Sequence, residues 1–99
     1  LRTMAAAYEI GQLRGTPLHA AELWWLATQG SATALRMEDK IGNIAPGMEA
    51  DVVVVDLAST PAISQRATRA ADLWEAIFPT IMMGDDRAVA EVWINGKRV

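Results

Sequence analysis

Lys40-Ile-Gly42-Asn-Ile-Ala-Pro46-Gly47-Met-Glu-Ala-Asp51-Val52-Val-Val-Val55-Asp56 is the stretch whose reading decides the fold. Pro46-Gly47 is a type II turn pair, because Pro presets φ at the second position and Gly accepts positive φ at the third. Val52 to Val55 is an unbroken β-branched run between two aspartates. A half-exposed strand would alternate apolar and polar residues, so this run predicts a strand covered on both faces. Asp51, next to the turn, is placed to accept backbone hydrogen bonds; an acid role is the competing reading.

Upstream of this stretch the pattern is helical. Leu1, Met4, Ala5 and Tyr8 fall on one face, and Gly15 is a C′ stop. Thr16-Pro17 predicts a restart, with Thr as N-cap and Pro at N1. The second helix, Pro17 to Gln29, is apolar on nearly every side. Residues in succession point about 100° apart, so Trp24 and Trp25 cannot face one flat core. Such a helix is buried on more than one side. A short helical stretch, Ser31 to Leu35, follows Gly30.

Downstream, Ser59-Thr60-Pro61 reads as a loop. Helical spacing returns over about Arg69 to Met83, where Pro79 is expected to kink or end the helix. Gly84-Asp85-Asp86 is a break, and Ala88 to Ile94 reads as a strand. Asn95-Gly96 signals a type I′ hairpin turn, with Lys97 to Val99 as the return.

Composition narrows the function classes. With 99 residues there is room for one small domain. Hydrophobic residues make up 52% and the net charge is −3, which excludes a disordered chain. Nine basic residues scattered among twelve acidic ones do not form a phosphate-binding patch, so no nucleic-acid partner is expected. The longest uncharged run, Leu23 to Leu35, is too short to span a bilayer. The absence of Cys removes disulfides, thiolate nucleophiles and Cys-based zinc sites. The chain opens at Leu1, inside a helix, as a processed chain or a piece of a larger protein would.

Little catalytic chemistry is legible. His19 is the sole histidine, whereas a zinc site needs three or four ligands; a solvated helix start explains it better. Asp85-Asp86-Arg87 could be a carboxylate pair or an oxyanion clamp. Turn chemistry favours a loop in which Asp caps backbone N–H groups and Arg87 pairs with one carboxylate. Gly42, Gly47, Gly84 and Gly96 form no phosphate loop and each has a local turn explanation. The residues alone predict an α/β assembly of buried helices and strands, with no catalytic apparatus.

Three segments add a resemblance. His19 through Leu35 and Lys40 through Asp56 are similar to the carboxy-terminal signature of the amidohydrolase superfamily, "ATxxxAxxL" followed by "xIGxxxPGxxADxxxxD". Val92-Trp-Ile-Asn95-Gly96-Lys-Arg-Val99 resembles its closing hairpin. Within the superfamily, Leu1 to Tyr8 and Met83-Gly84-Asp85-Asp86-Arg87-Ala-Val-Ala-Glu-Val92 resemble the guanine deaminase family, with Met83 in place of the usual Leu. These motif positions, Gly42, Pro46, Gly47, Asp51, Gly84, Asp85, Asp86, Arg87, Asn95 and Gly96, carry the resemblance as structural positions.

The resemblance implies a longer parent with a (β/α)₈ metal-dependent hydrolase barrel and a flanking β-sandwich. Residues 1–40 would be terminal barrel helices. Residues 41–99 would be carboxy-terminal sandwich strands, with an intervening helix at about 69–83 and a closing hairpin at 88–99. The implied reaction is hydrolysis of guanine to xanthine and ammonia: zinc activates a water, and an acidic residue shuttles the proton. The family's HxH pair, further His, Glu and Asp do not map onto these residues, so no catalytic, substrate-binding or metal residue is assigned. The Asp ligand is expected just upstream of Leu1. The implied partners are the rest of the barrel, a purine substrate and a second identical subunit, in the cytoplasm. Alternatives are an amidohydrolase for another heterocycle or an amide, or a stand-alone non-catalytic interaction module. Because burial would depend on missing neighbours, the isolated chain is expected to be poorly folded or aggregation-prone.

Overall fold

The computed structural model describes residues 1–99 as a mixed α/β arrangement. Five α-helices are α1 (Arg2–Leu13), α2 (Ala20–Trp25), α3 (Ser31–Ala34), α4 (Pro61–Ala67) and α5 (Leu73–Met83). The strands are β1 (Val52–Val55), β2 (Val89–Ile94) and β3 (Lys97–Arg98), in one antiparallel sheet of order β1-β2-β3. The helices α1, α2 and α5 enclose the core cluster of Met4, Ala20, Leu23 and Ile81, against which Leu1, Tyr8 and Phe78 pack. Tyr8 and Phe78 meet edge to face with centroids 4.9 Å apart.

Gly15 ends α1 as expected, at φ +71°. The Thr16 N–H donates to the Gly11 carbonyl and the Gly15 N–H to that of Gln12, the two bonds of a Schellman motif. That use of Thr16 corrects the expected restart, because α2 begins at Ala20 rather than Pro17. His19 is the N-cap. Its Nδ1 accepts the Ala21 N–H at 3.1 Å, while the Glu22 carboxylate accepts the His19 N–H at 2.6 Å. This reciprocal capping box fixes the start more firmly than Thr16-Pro17 could.

The helix does not stop at Gly30. A π-helical turn, Leu26–Gly30, joins α2 to α3. A Cβ at Gly30 would sit 2.8 Å from the Trp25 ring, so glycine lets that indole lie against the helix. The Ser31 hydroxyl donates to the Leu26 carbonyl at 2.7 Å, five residues back, which suits the wider turn. After α3 a second Schellman motif closes on Arg36, at φ +57°. There the Met37 N–H donates to Ala32 and the Arg36 N–H to Thr33. An L-residue in this conformation costs about 1–2 kcal/mol. Replacing Arg36 by Gly is expected to raise stability by about 1 kcal/mol, part of the relief being lost to greater unfolded-chain entropy. The midpoint of urea unfolding measures this.

Three further expectations change. Thr60-Pro61 starts α4 instead of a loop: the Thr60 hydroxyl accepts the Ile63 N–H and Pro61 occupies N1. The second helix of this pair, α5, runs from Leu73 because Asp72 caps it, its carboxylate accepting the Glu75 N–H at 2.8 Å. Pro79 does not end α5, which continues to Met83. Pro79, Thr80 and Ile81 are all buried, so packing retains the turn that the proline weakens.

The sheet follows the expected turn chemistry. Asn95 (φ +48°) and Gly96 (φ +75°) form the primed turn joining β2 to β3. A bulge between Val54 and Val55 shifts the β1–β2 register, so Val54 faces Glu91 and Val55 faces Val89. The valine run is a strand but is not covered on both faces by this chain: Val53 is 54% and Val54 43% exposed. The sheet has three strands only, and no helix lies close enough to bury both sides. Nine of 99 residues are buried and the radius of gyration is 14.4 Å, against about 13 Å for a compact 100-residue domain.

Candidate functional site

The motif residues gather at the two ends of the β1–β2 pair. At one end, Ala45-Pro46-Gly47-Met48 makes the turn, with Gly47 at φ +89° and the Met48 N–H donating to the Ala45 carbonyl at 3.1 Å. The chain then reaches Asp51, whose Oδ1 accepts the Asn95 N–H at 2.8 Å. Beside it, the Gly96 N–H donates to the Ala50 carbonyl at 3.0 Å. Asp51 and Asn95 are 44 positions apart, so one carboxylate ties the loop before β1 to the closing hairpin. Gly42 sits upstream at φ +94°, where the loop crosses the α2–α3 helix. A Cβ there would fall 2.7 Å from the Ala32 Cβ and 3.1 Å from the Gln29 Cα.

At the other end, Gly84 leaves α5 where a Cβ would strike the Thr80 carbonyl oxygen. Asp85 then caps a single 3₁₀ turn, Asp86–Ala88, its Oδ1 accepting the Arg87 N–H at 3.0 Å. The Arg87 guanidinium closes on the same carboxylate, Nε to Oδ1 at 3.0 Å and Nη2 to Oδ2 at 2.7 Å. Hydrogen bonds from the Arg87 side chain and backbone hold the Asp85 carboxyl below its ordinary value of 3.8. In turn Asp85 raises Arg87 above its usual range. Asp86 makes no contact of this kind and acts on Arg87 only through space. The Ala88 carbonyl accepts the Asp56 N–H at 2.8 Å, joining this turn to the end of β1.

Because the Asp85 pKa is lower in the folded chain, its contribution is present above about 3.8 and is lost as pH falls through the folded value. The pair is solvent-exposed, so the contribution is small. Arg87→Ala is therefore expected to lower the unfolding midpoint slightly at pH 7, with the deficit fading as pH falls below 3.8 and through the lowered folded value. Thermal scans of both proteins across pH 2–7 check this.

Two clefts lie outside these turns. One, of about 840 Å³, opens between α1, α2, α4 and α5; Tyr8, Trp74 and Phe78 lie on its walls with Arg66 and Arg69. His19 borders it, its ring edge-on to Trp74 at 6.1 Å. The cleft presents no Ser, Cys or Lys nucleophile, and Glu22, Asp72 and Glu75 are each engaged with a backbone N–H. The other cleft, of about 710 Å³, runs between the α2–α3 helix and β1, and 13 of its 18 lining residues are apolar. Nowhere do three His, Asp or Glu side chains converge as metal ligands. The residues of this chain do not fit a zinc centre: its one imidazole already spends Nδ1 on a helix cap. The capping role of His19 left no sequence signal, since histidine is not a usual N-cap. No helix is long and apolar enough to cross a membrane.

The amidohydrolase family pattern matches residues 3–99. The chain belongs to the amidohydrolase family. Among known amidohydrolases and their kin, guanine deaminase of Escherichia coli K12 is 38% identical over 99 residues, which cover all of this chain and 23% of that protein. The solved structure of E. coli guanine deaminase superposes with a TM-score of 0.95 over 99% of this chain and 23% of its own. Guanine deaminase from Bradyrhizobium japonicum follows at 0.88 and 28% identity, covering 99% and 27%. A zinc-bound adenosine deaminase from Xanthomonas campestris gives 0.73 at 29% identity, covering 96% and 20%. This amidohydrolase chain thus spans about a quarter of the length of the relatives it matches.

Proposed function

We propose that these residues are the carboxy-terminal scaffold of a longer guanine deaminase, an enzyme that hydrolyses guanine to xanthine and ammonia. The supporting observation is the 38% identity to the E. coli guanine deaminase along the whole chain, together with a TM-score of 0.95 to that fold. In this reading residues 1–40 are the terminal helices of a (β/α)₈ barrel. Residues 41–99 add strands to a flanking sandwich. The rest of the barrel supplies the zinc ion, the acid that moves the proton and the purine pocket. The longer protein is read as a cytoplasmic homodimer.

The work of this chain is then mechanical. Asp51 holds the hairpin to the loop before β1, and Asp85 with Arg87 shapes the turn into β2. Arg87→Ala in the longer enzyme is expected to leave the chemical step unchanged. The test is to assay the longer protein for xanthine and ammonia formation from guanine, beside adenine, adenosine and cyclic amides. Turnover of guanine alone supports the reading. Preference for another heterocycle or an amide rejects it in favour of a different amidohydrolase, and no turnover of any of them favours a non-catalytic module.

A further inference from the structure

We infer that Asn95 is a site of spontaneous modification: an asparagine poised to deamidate, which the Asp51 carboxylate keeps latched until the closing hairpin opens. The inference is independent of what the longer protein hydrolyses.

Asn95 is followed by Gly96, and both are exposed to water. Glycine has no side chain to crowd its own nitrogen. That nitrogen, stripped of its proton, can attack the Asn95 side-chain carbonyl carbon. A five-membered imide forms, the bond to the side-chain nitrogen breaks, and ammonia leaves with the proton. Water then opens the imide at either carbonyl. The product is a carboxylate, with the main chain either unchanged or lengthened by one methylene. Nothing is oxidised or reduced, and water is the only co-reactant.

The folded turn blocks this chemistry in three ways. Ring closure needs the Asn95 Cβ and the Gly96 nitrogen nearly eclipsed about the Cα–C bond. Asn95 has φ +48° in a type I′ turn, where ψ is about +30° and those two atoms point almost opposite ways. The Gly96 N–H is held by the Ala50 carbonyl at 3.0 Å. The Asp51 carboxylate accepts the Asn95 N–H at 2.8 Å, and its negative charge opposes loss of the Gly96 proton.

The last two restraints come from the loop before β1, not from the hairpin itself. The return strand β3 has only two residues, Lys97–Arg98. A hairpin alone is marginal in water, so its turn depends on that loop to stay closed. The bond to Asp51 has a charged acceptor and is the stronger of the two. Opening becomes irreversible once the imide has formed. A lengthened main chain no longer fits a two-residue turn, and a new carboxylate beside Asp51 repels it.

The experiment uses the longer protein, stored in warm, mildly alkaline buffer. Peptide mapping by mass spectrometry follows the amide-to-acid mass gain at Asn95. Native wild type, wild type unfolded in guanidinium chloride and native Asp51→Ala are compared, with circular dichroism confirming the folded samples. The folded wild type is expected to convert at least tenfold more slowly than the unfolded chain. Folded Asp51→Ala is expected to convert at least tenfold faster than the folded wild type, the factor that loss of a bond to a charged group implies. Equal rates for native and unfolded wild type overturn the inference. So does folded Asp51→Ala converting no faster than wild type, because the turn is then held without the carboxylate. Should Asp51→Ala not accumulate as folded protein, Asp51→Asn carries the measurement. It keeps an acceptor oxygen and removes the charge, so a severalfold rise is expected and an unchanged rate overturns the inference.

Discussion

Leu23→Ala is expected to cost about 3 kcal/mol, with 2–5 the range for truncating a buried leucine. Leu23 is 1% exposed and sits with Met4, Ala20 and Ile81 where α1, α2 and α5 meet. Of its core neighbours, Ala20 is too small to fill the vacated space, and Met4 can do so only in part. The remaining core is too slight to absorb the loss, since only nine residues are buried. Chemical denaturation should show the midpoint falling with an unchanged slope. A change below about 1 kcal/mol would mean that the three helices do not pack as described.

Gly42→Ala should be nearly as damaging, at about 3 kcal/mol. Two causes add. At φ +94° an L-side chain is strained, worth about 1–2 kcal/mol. The new methyl would also press on the Ala32 Cβ and on backbone atoms of Gln29 and Thr28, none of which is the free end of a flexible side chain. Overpacking of this sort costs about 1–3 kcal/mol. Gly47→Ala separates the two causes, because Gly47 also has positive φ but has nothing within 4 Å of its missing Cβ. It should lose only the conformational part. Equal losses at the two positions would rule out the close approach of the loop to the helix.

Local chemistry was readable from the residues wherever it had no competitor. Pro46-Gly47 and Asn95-Gly96 each specify a turn through φ, and both turns form. The Thr-Pro helix-start rule fails at Thr16-Pro17 and holds at Thr60-Pro61, where the sequence alone reads as a loop. The difference lies in the neighbours. Thr16 is captured by the end of α1, and His19 with Glu22 offers a stronger cap three residues later. Thr60 has no preceding helix to serve and caps α4 freely. Pro79 shows the limit of a local rule, since burial of Thr80 and Ile81 outweighs the missing hydrogen bond. The valine run was readable as a strand, but its covering was not supplied by these 99 residues. The tie from Asp51 to Asn95 spans 44 positions and could only be seen once the strands had paired. The resemblance reached the family, which no spacing or charge pattern in this chain could have done.

The link between the Asp56 N–H and the Ala88 carbonyl closes the base of an excursion made of α4, α5 and their connections. Its far tip, at Thr68 to Ala71 between the two helices, carries no strand pairing. Extra residues placed there would add a ring-closure cost of about 0.6 kcal/mol for each doubling, beside any disturbance of local bonds such as that from the Ala71 N–H to the Glu75 carboxylate. That bend is therefore a natural port for an epitope or a fluorophore, one that leaves both the valine strand and the closing hairpin in register.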